Sequence, residues 1–194
     1  MTRAAHITRR TRETEIVLAL RLDGTAQVNI STGIGFLDHL LTALATHAGF
    51  DLELQCTGDL EVDDHHTAED CAIALGQALD EALGDRHGIV RFGTAYAPLD
   101  EALSRAVVDL VKRPYAHIDL PLNYDRIGEL ACENIPHVLQ SLANAGSFCL
   151  HADLIRGSND HHKAESMFKA VALSLRQAVQ RTGRADAPST KGVM

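Results

Sequence analysis

The chain repeats itself, and this constrains its fold more than any other feature. HLLTALATHAGFDL, beginning at His39, returns as HVLQSLANAGSFCL at His137, 98 residues later, with Leu41/Leu139, Leu44/Leu142, Phe50/Phe148 and Leu52/Leu150 in register. DHHTAE at Asp64 returns as DHHKAE at Asp160, 96 residues later. The two-residue slip falls in the intervening loop, where changes of length are tolerated. Beyond each DHH the apolar positions match again: Ala68, Ala72, Leu75, Leu79 and Ala82 against Ala164, Phe168, Val171, Leu175 and Ala178. Steps of three and four mark the buried face of an amphipathic helix in both copies.

Upstream, EIVLALRLDGTAQVNI from Glu15 reads as a hairpin turning at Asp23-Gly24, with ALSRAVVDLVKRPYAHIDLPL as its weaker counterpart. Phe50 to Cys56 and Phe148 to Leu154 alternate as half-buried strands do. Each half therefore predicts two strands, a helix, a further strand and a helix. The expected fold class is α+β with an internal duplication: two similar halves, residues 1–90 and 91–194, each a small sheet covered on one face by helices. The halves should pack as one compact unit through a pseudo-twofold relationship.

The repeated histidines carry the chemistry. Neighbouring residues on a helix point about 100° apart, whereas residues four apart share a face. His65 therefore chelates with Glu69 and His161 with Glu165, while His66 and His162 look elsewhere. Imidazole with carboxylate suits a divalent ion such as manganese, iron or zinc, and the lack of cysteine donors disfavours a purely structural zinc site. The expected partition is one metal held by His39, His65, Glu69 and His162 and another by His66, His137, His161 and Glu165. Adjacent histidines then let one helix start serve two sites. No bridging carboxylate is evident. Asp80-Glu81, Asp100-Glu101 and Glu61 read as solvated or helix-terminal charges, and Phe36 and Phe168 as core.

Composition excludes several classes. A formal net charge of −8 argues against a nucleic-acid surface. No apolar run approaches the roughly 18 residues of a membrane span, and MTRAAHITRRTRETE has no signal-peptide character, so a cytoplasmic protein is expected. Cys56, Cys71, Cys132 and Cys149 form no CxxC pair and read as reduced thiols.

RTRETEI at Arg10, TGIGFLDHLL at Thr32, HAGFDL at His47, GDLEVDDHHTAED at Gly58, GIVRFG at Gly88, PLDEAL at Pro98, NDHHKAESMFKA at Asn159 and PSTKG at Pro188 together resemble the imidazoleglycerol-phosphate dehydratase family along essentially the whole chain. The resemblance implies a duplicated fold of the ribosomal protein S5 domain 2-like kind and two Mn(2+) ions per active site. It implies a homo-oligomer of 24 subunits with octahedral symmetry, built from trimers, with active sites at subunit interfaces. The implied reaction, in histidine biosynthesis, removes water from D-erythro-imidazoleglycerol phosphate to give imidazoleacetol phosphate. The departing proton lies on a carbon with no adjacent carbonyl. Cations on the ring nitrogens would stabilise an imidazolate able to expel the neighbouring hydroxyl, and an enol would then tautomerise to the ketone.

By family position Glu13 is the proton-transfer residue. Glu15 is its nearest rival, on the same strand face if the strand begins that early. Arg91, Arg113, Ser189, Thr190, Lys191 and Gly192, the last four on a C-terminal substrate-binding tail, are the implied phosphate contacts, and His47, whose repeat partner is Ala145, is a further substrate or metal contact. Where the family commonly has a small polar pair, this chain has Val111 and Lys112 in DLVKRP, which alters the approach to Arg113. The rival readings are a dinuclear phosphate-ester hydrolase, which needs a bridging carboxylate, and a metal-clipped structural assembly, which needs neither Glu13 nor the PSTKG tail.

Overall fold

Alternating burial gives each sheet one wet and one dry face. In the second strand, Ile16, Leu18 and Leu20 point inward and are buried, while Glu15 and Val17 between them are exposed. The computed structural model describes residues 3–192. The first half contains β1 (Ala4–Arg10), β2 (Thr14–Arg21), β3 (Val28–Ser31), α1 (Gly35–Ala48), β4 (Asp51–Gly58) and α2 (His65–Leu83). The second contains β5 (Phe92–Leu99), β6 (Ala102–Asp109), β7 (Tyr115–Asp119), a short ribbon of β8 (Arg126–Ile127) and β9 (Leu130–Ala131), α3 (Asn134–Ala145), β10 (Cys149–Arg156) and α4 (Asp160–Ala178). The two main sheets run β1-β2-β4-β3 and β5-β6-β10-β7, so the duplication read from the sequence is present in the topology.

Three local expectations fail, one of them in the second half, where β10 lies between β6 and β7 so that ALSRAVVDLVKRPYAHIDLPL is no hairpin. β2 and β3 do not form a hairpin, because β4 lies between them, antiparallel to β2 and parallel to β3. The hairpin is instead β1 with β2, a strand pair the sequence reading did not separate. Asp23-Gly24 belongs to a crossover held by Asp51, whose Oδ1 accepts from the Thr25 and Gln27 backbone N–H groups. Gly24 is required there by close approach: a Cβ would lie 2.4 Å from the Asp51 nitrogen. β2 also begins only at Thr14, so Glu13 sits in the turn before it and does not share a strand face with Glu15. Thr11 Oγ1 shapes that turn by accepting from the Glu13 and Thr14 N–H groups.

The helices lie between the sheets. Each packs on its own sheet and on a helix of the other half: α1 against α4, and α2 against α3. Their inward faces merge into one hydrophobic core. The α2–α3 crossing depends on Gly76, where a Cβ would come within 2.7 Å of the Gly146 nitrogen and the Leu142 carbonyl oxygen. The fully buried Arg86 fastens the same junction, donating to the Gly146 and Ser147 carbonyls and to Asp80, a helix-terminal charge as expected, in the last turn of α2. No helix among the described residues is long and apolar enough to cross a membrane. Gly76→Ala is expected to destabilise the chain by about 1–3 kcal/mol, since the obstructing atoms are backbone and cannot rotate away; denaturant titration of both proteins checks this.

Candidate metal centre and anion pocket

The twofold packing of the helices decides which histidines meet. α1 delivers His39 to α4, where it joins His161 and Glu165, and α3 delivers His137 to α2, where it joins His65 and Glu69. In each trio the ligand-type atoms lie within 4.8 Å of one another. His39 Nε2 is 2.8 Å and His161 Nε2 3.2 Å from Glu165 Oε2. His137 Nε2 is 3.0 Å from Glu69 Oε1, and His65 Nε2 is 4.0 Å from Glu69 Oε2. Both i,i+4 pairs thus meet as the helical spacing predicts. The partition of the others differs from expectation: His39 sits with His161, not His65, and His137 joins the His65 trio. The reason is tertiary, because α1 packs on the motif helix of the opposite half.

His66 and His162 enter neither trio within one chain. Each ring is held from behind by a carboxylate. His66 Nδ1 lies 3.1 Å from Asp59, and His162 Nδ1 lies 2.7 Å from Glu101. These carboxylates raise the pKa of both rings above the usual histidine value. Glu101 is exposed, as expected of a solvated charge, yet it is not idle: it also accepts from the Ser158 and Asn159 N–H groups. Phe36 is buried in the core as expected and also packs its ring against His161 at 4.9 Å.

The aspartates before the paired histidines are structural and buried. Asp64 accepts from Arg126, Ala131 N–H and Asn134, and Asn134 Oδ1 in turn accepts from His65 Nδ1 at 2.8 Å. Asp160 accepts from Asn123, from Tyr124 N–H and from Lys163. The two motifs thereby grip opposite ends of the β7–α3 connector. At the other trio, burial pushes the Glu165 carboxyl up, but Lys169 at 2.6 Å and His39 outweigh it and hold the group down at about 2. Burial and nearby Lys169 keep His47 below its ordinary value. Lys169 escaped the sequence reading, although its i+4 spacing from Glu165 was visible.

Glu13 is half exposed, its Oε1 3.8 Å from His66 Nε2. Away from the trios, Arg91, Val111, Lys112, Arg113, Ser189, Thr190 and Lys191 line a cavity of about 330 Å³. Gly192 closes the tail's last turn, donating its N–H to the Ser189 carbonyl. Arg91 is already committed: its fork spans Asp109 at 2.6 and 3.0 Å, and Nη1 donates to the Pro188 carbonyl, tying the tail down. Among the described residues only Arg12, Lys112, Arg113, Arg156, Arg176 and Lys191 have no ion pair, and three of these six line this one cavity. Uncompensated cations converging in a chain of net charge −8 favour an anionic ligand. Lys112, expected only to alter the approach to Arg113, is itself on the wall.

Fold and site together define an internally duplicated α+β protein with paired imidazole–carboxylate clusters and a separate cation-lined cavity. The comparisons with known proteins specify it further. Residues 32–175 match the family model for imidazoleglycerol-phosphate dehydratase, to which the chain belongs. It is 57% identical to the dehydratase of that name from Phaffia rhodozyma, over 99% of this chain and 96% of that protein, and 58% identical to the one from Saccharomyces cerevisiae, over 86% and 76%. Among solved structures, the Staphylococcus aureus dehydratase aligns with a TM-score of 0.84 at 35% identity, covering 92% of this chain and 99% of that one. The Pyrococcus furiosus enzyme, in complex with (S)-C348, gives 0.84 at 34%, covering 97% and 100%. The activity is the hydro-lyase step that names the family, in histidine biosynthesis.

Inorganic phosphate is expected to bind the cavity. Arg113→Ala should weaken it by about 1.5–3 kcal/mol, and Lys112→Ser by less, with a shallower salt dependence in both; calorimetric titration at two ionic strengths measures this.

Proposed function

We propose that the two trios are divalent-metal sites, loaded with manganese, and that His66 and His162 each complete a site on a neighbouring subunit. The observation that carries this reading is the pair of two-histidine, one-glutamate clusters, each drawn from both halves of the chain. The donor set fits: nitrogen and ionised oxygen suit a borderline divalent ion, and three protein ligands leave positions open. Two rings outside the trios, both held from behind, supply the missing ligands if subunits meet at this face. We infer with it an octahedral 24-subunit cytoplasmic assembly of trimers, and halves 1–90 and 91–194 that fold as a single unit.

Bound at the trios, the ions would act as Lewis acids toward the substrate's imidazole ring. The chain's own groups do the rest. Arg113, Lys112 and Lys191, with the Ser189 and Thr190 hydroxyls, hold the phosphate and so fix the carbon chain between pocket and trios. Arg91 orders the tail through Pro188. His47, its pKa lowered by burial and by Lys169, lies on the same side as Glu165 and Lys169. Glu13 carries the proton, its Oε atoms accepting the one that leaves the carbon chain; the turn leaves this carboxylate uncommitted and close to His66.

Chelator-stripped protein should form no ketone from imidazoleglycerol phosphate, and manganese should restore turnover together with a rise in particle size. Assembly without ketone formation would defeat the catalytic assignments while leaving a structural role for the metal. Glu13→Gln is expected to lower kcat by about 100-fold or more, with bound manganese unchanged, as checked by turnover and metal analysis on one preparation.

A further inference from the structure

The strand registers extend the repeat beyond the histidine motifs. β1 and β2 recur as β5 and β6 exactly one register apart in chain position, Ala4 opposite Arg21 becoming Phe92 opposite Asp109, 88 residues on. On that offset the residue before β2, Glu13, has as its twin the residue before β6, Glu101. Each twin faces the second histidine of its own half, but at a different ring atom. Glu13 Oε1 is 3.8 Å from His66 Nε2, the outward nitrogen, and among the described residues no hydrogen bond engages its carboxylate. Glu101 Oε2 is 2.7 Å from His162 Nδ1, the inward nitrogen. Its Oε1 accepts from Asn159 N–H at 2.7 Å, Ser158 N–H at 3.0 Å and Ser158 Oγ at 3.2 Å. Behind His66 the corresponding place is taken by Asp59, from the loop after β4.

We propose that the twins have divided their labour: Glu101 is a positioning residue that fixes the ring of His162 with Nε2 turned outward as a ligand, and Asp59 does this for His66. A carboxylate only accepts, so the proton sits on Nδ1, and in the neutral ring the lone pair is then on Nε2. With Asp59 behind His66, Glu13 is released for proton transfer. This inference rests on the proposed role of His66 and His162 as ligands to neighbouring subunits.

The test is manganese affinity, measured by competition with a chelator, and particle size at limiting metal. Glu101→Gln presents an amide that cannot accept from both His162 and the 158–159 backbone. It should bind manganese about 10–100-fold more weakly and disperse at limiting metal, with size and turnover recovering at excess manganese. Asp59→Asn should behave alike, Glu101→Asp should recover part of the loss, and Glu13→Gln should keep wild-type affinity while losing turnover. The unfolding midpoint of the metal-free proteins separates orientation from folding, and if Glu101→Gln fails to fold, Asp59→Asn decides. Wild-type affinity in a folded Glu101→Gln chain overturns the inference alone. A wild-type protein that binds no manganese overturns the proposed function, and this inference with it.

Discussion

The packing of α1 on α4 and α2 on α3 governs everything else in this molecule. Neither half can complete an imidazole–carboxylate cluster alone, because the helix carrying H-H-x-x-E always lies against a histidine helix of the other half. Close contact at that junction requires Gly76, and the buried Arg86 secures it through carbonyls at the end of α3. Any change that slides α2 along α3 therefore moves His137 relative to Glu69. Core geometry and site geometry are set by one interface.

Polar groups around the clusters are assigned with little redundancy. His65 is held through Asn134 and Asp64, His66 by Asp59 and His162 by Glu101, so three rings have their inward nitrogens fixed before any ligand arrives. Such support reduces the entropy lost on binding and selects the tautomer that leaves Nε2 available. The anion pocket is organised differently. Its wall holds cations that have no ion pair among the described residues, while Arg91, spent on Asp109 and Pro188, keeps the tail in place.

What the sequence disclosed and what it hid divides along sequence distance. The i,i+4 pairs His65/Glu69 and His161/Glu165, the amphipathic helices and the duplication were legible, since all depend on local periodicity or direct comparison. The partition of His39 and His137 was not, because it is set by which helices cross. The supposed hairpin at Asp23-Gly24 failed for the same reason: β4 comes from later in the chain and pairs between β2 and β3. Glu101 is the surface charge it looked like, but its repeat offset, 88, differs from the 96 and 98 of the histidine segments, so its kinship with Glu13 surfaced only through strand register.

The sharing of each cluster between halves also bears on how such a molecule arises. A single half, free in solution, carries one histidine helix and one motif helix that do not face each other, and it could assemble a cluster only by pairing with a copy of itself. That pairing would yield two identical sites about a true twofold axis. Joining the copies in one chain lets the sites diverge: the β7–α3 connector, gripped at both ends by Asp64 and Asp160, has no counterpart between β3 and α1. Two clusters with different surroundings are distinguishable to an asymmetric molecule, which a symmetric dimer of halves could not offer.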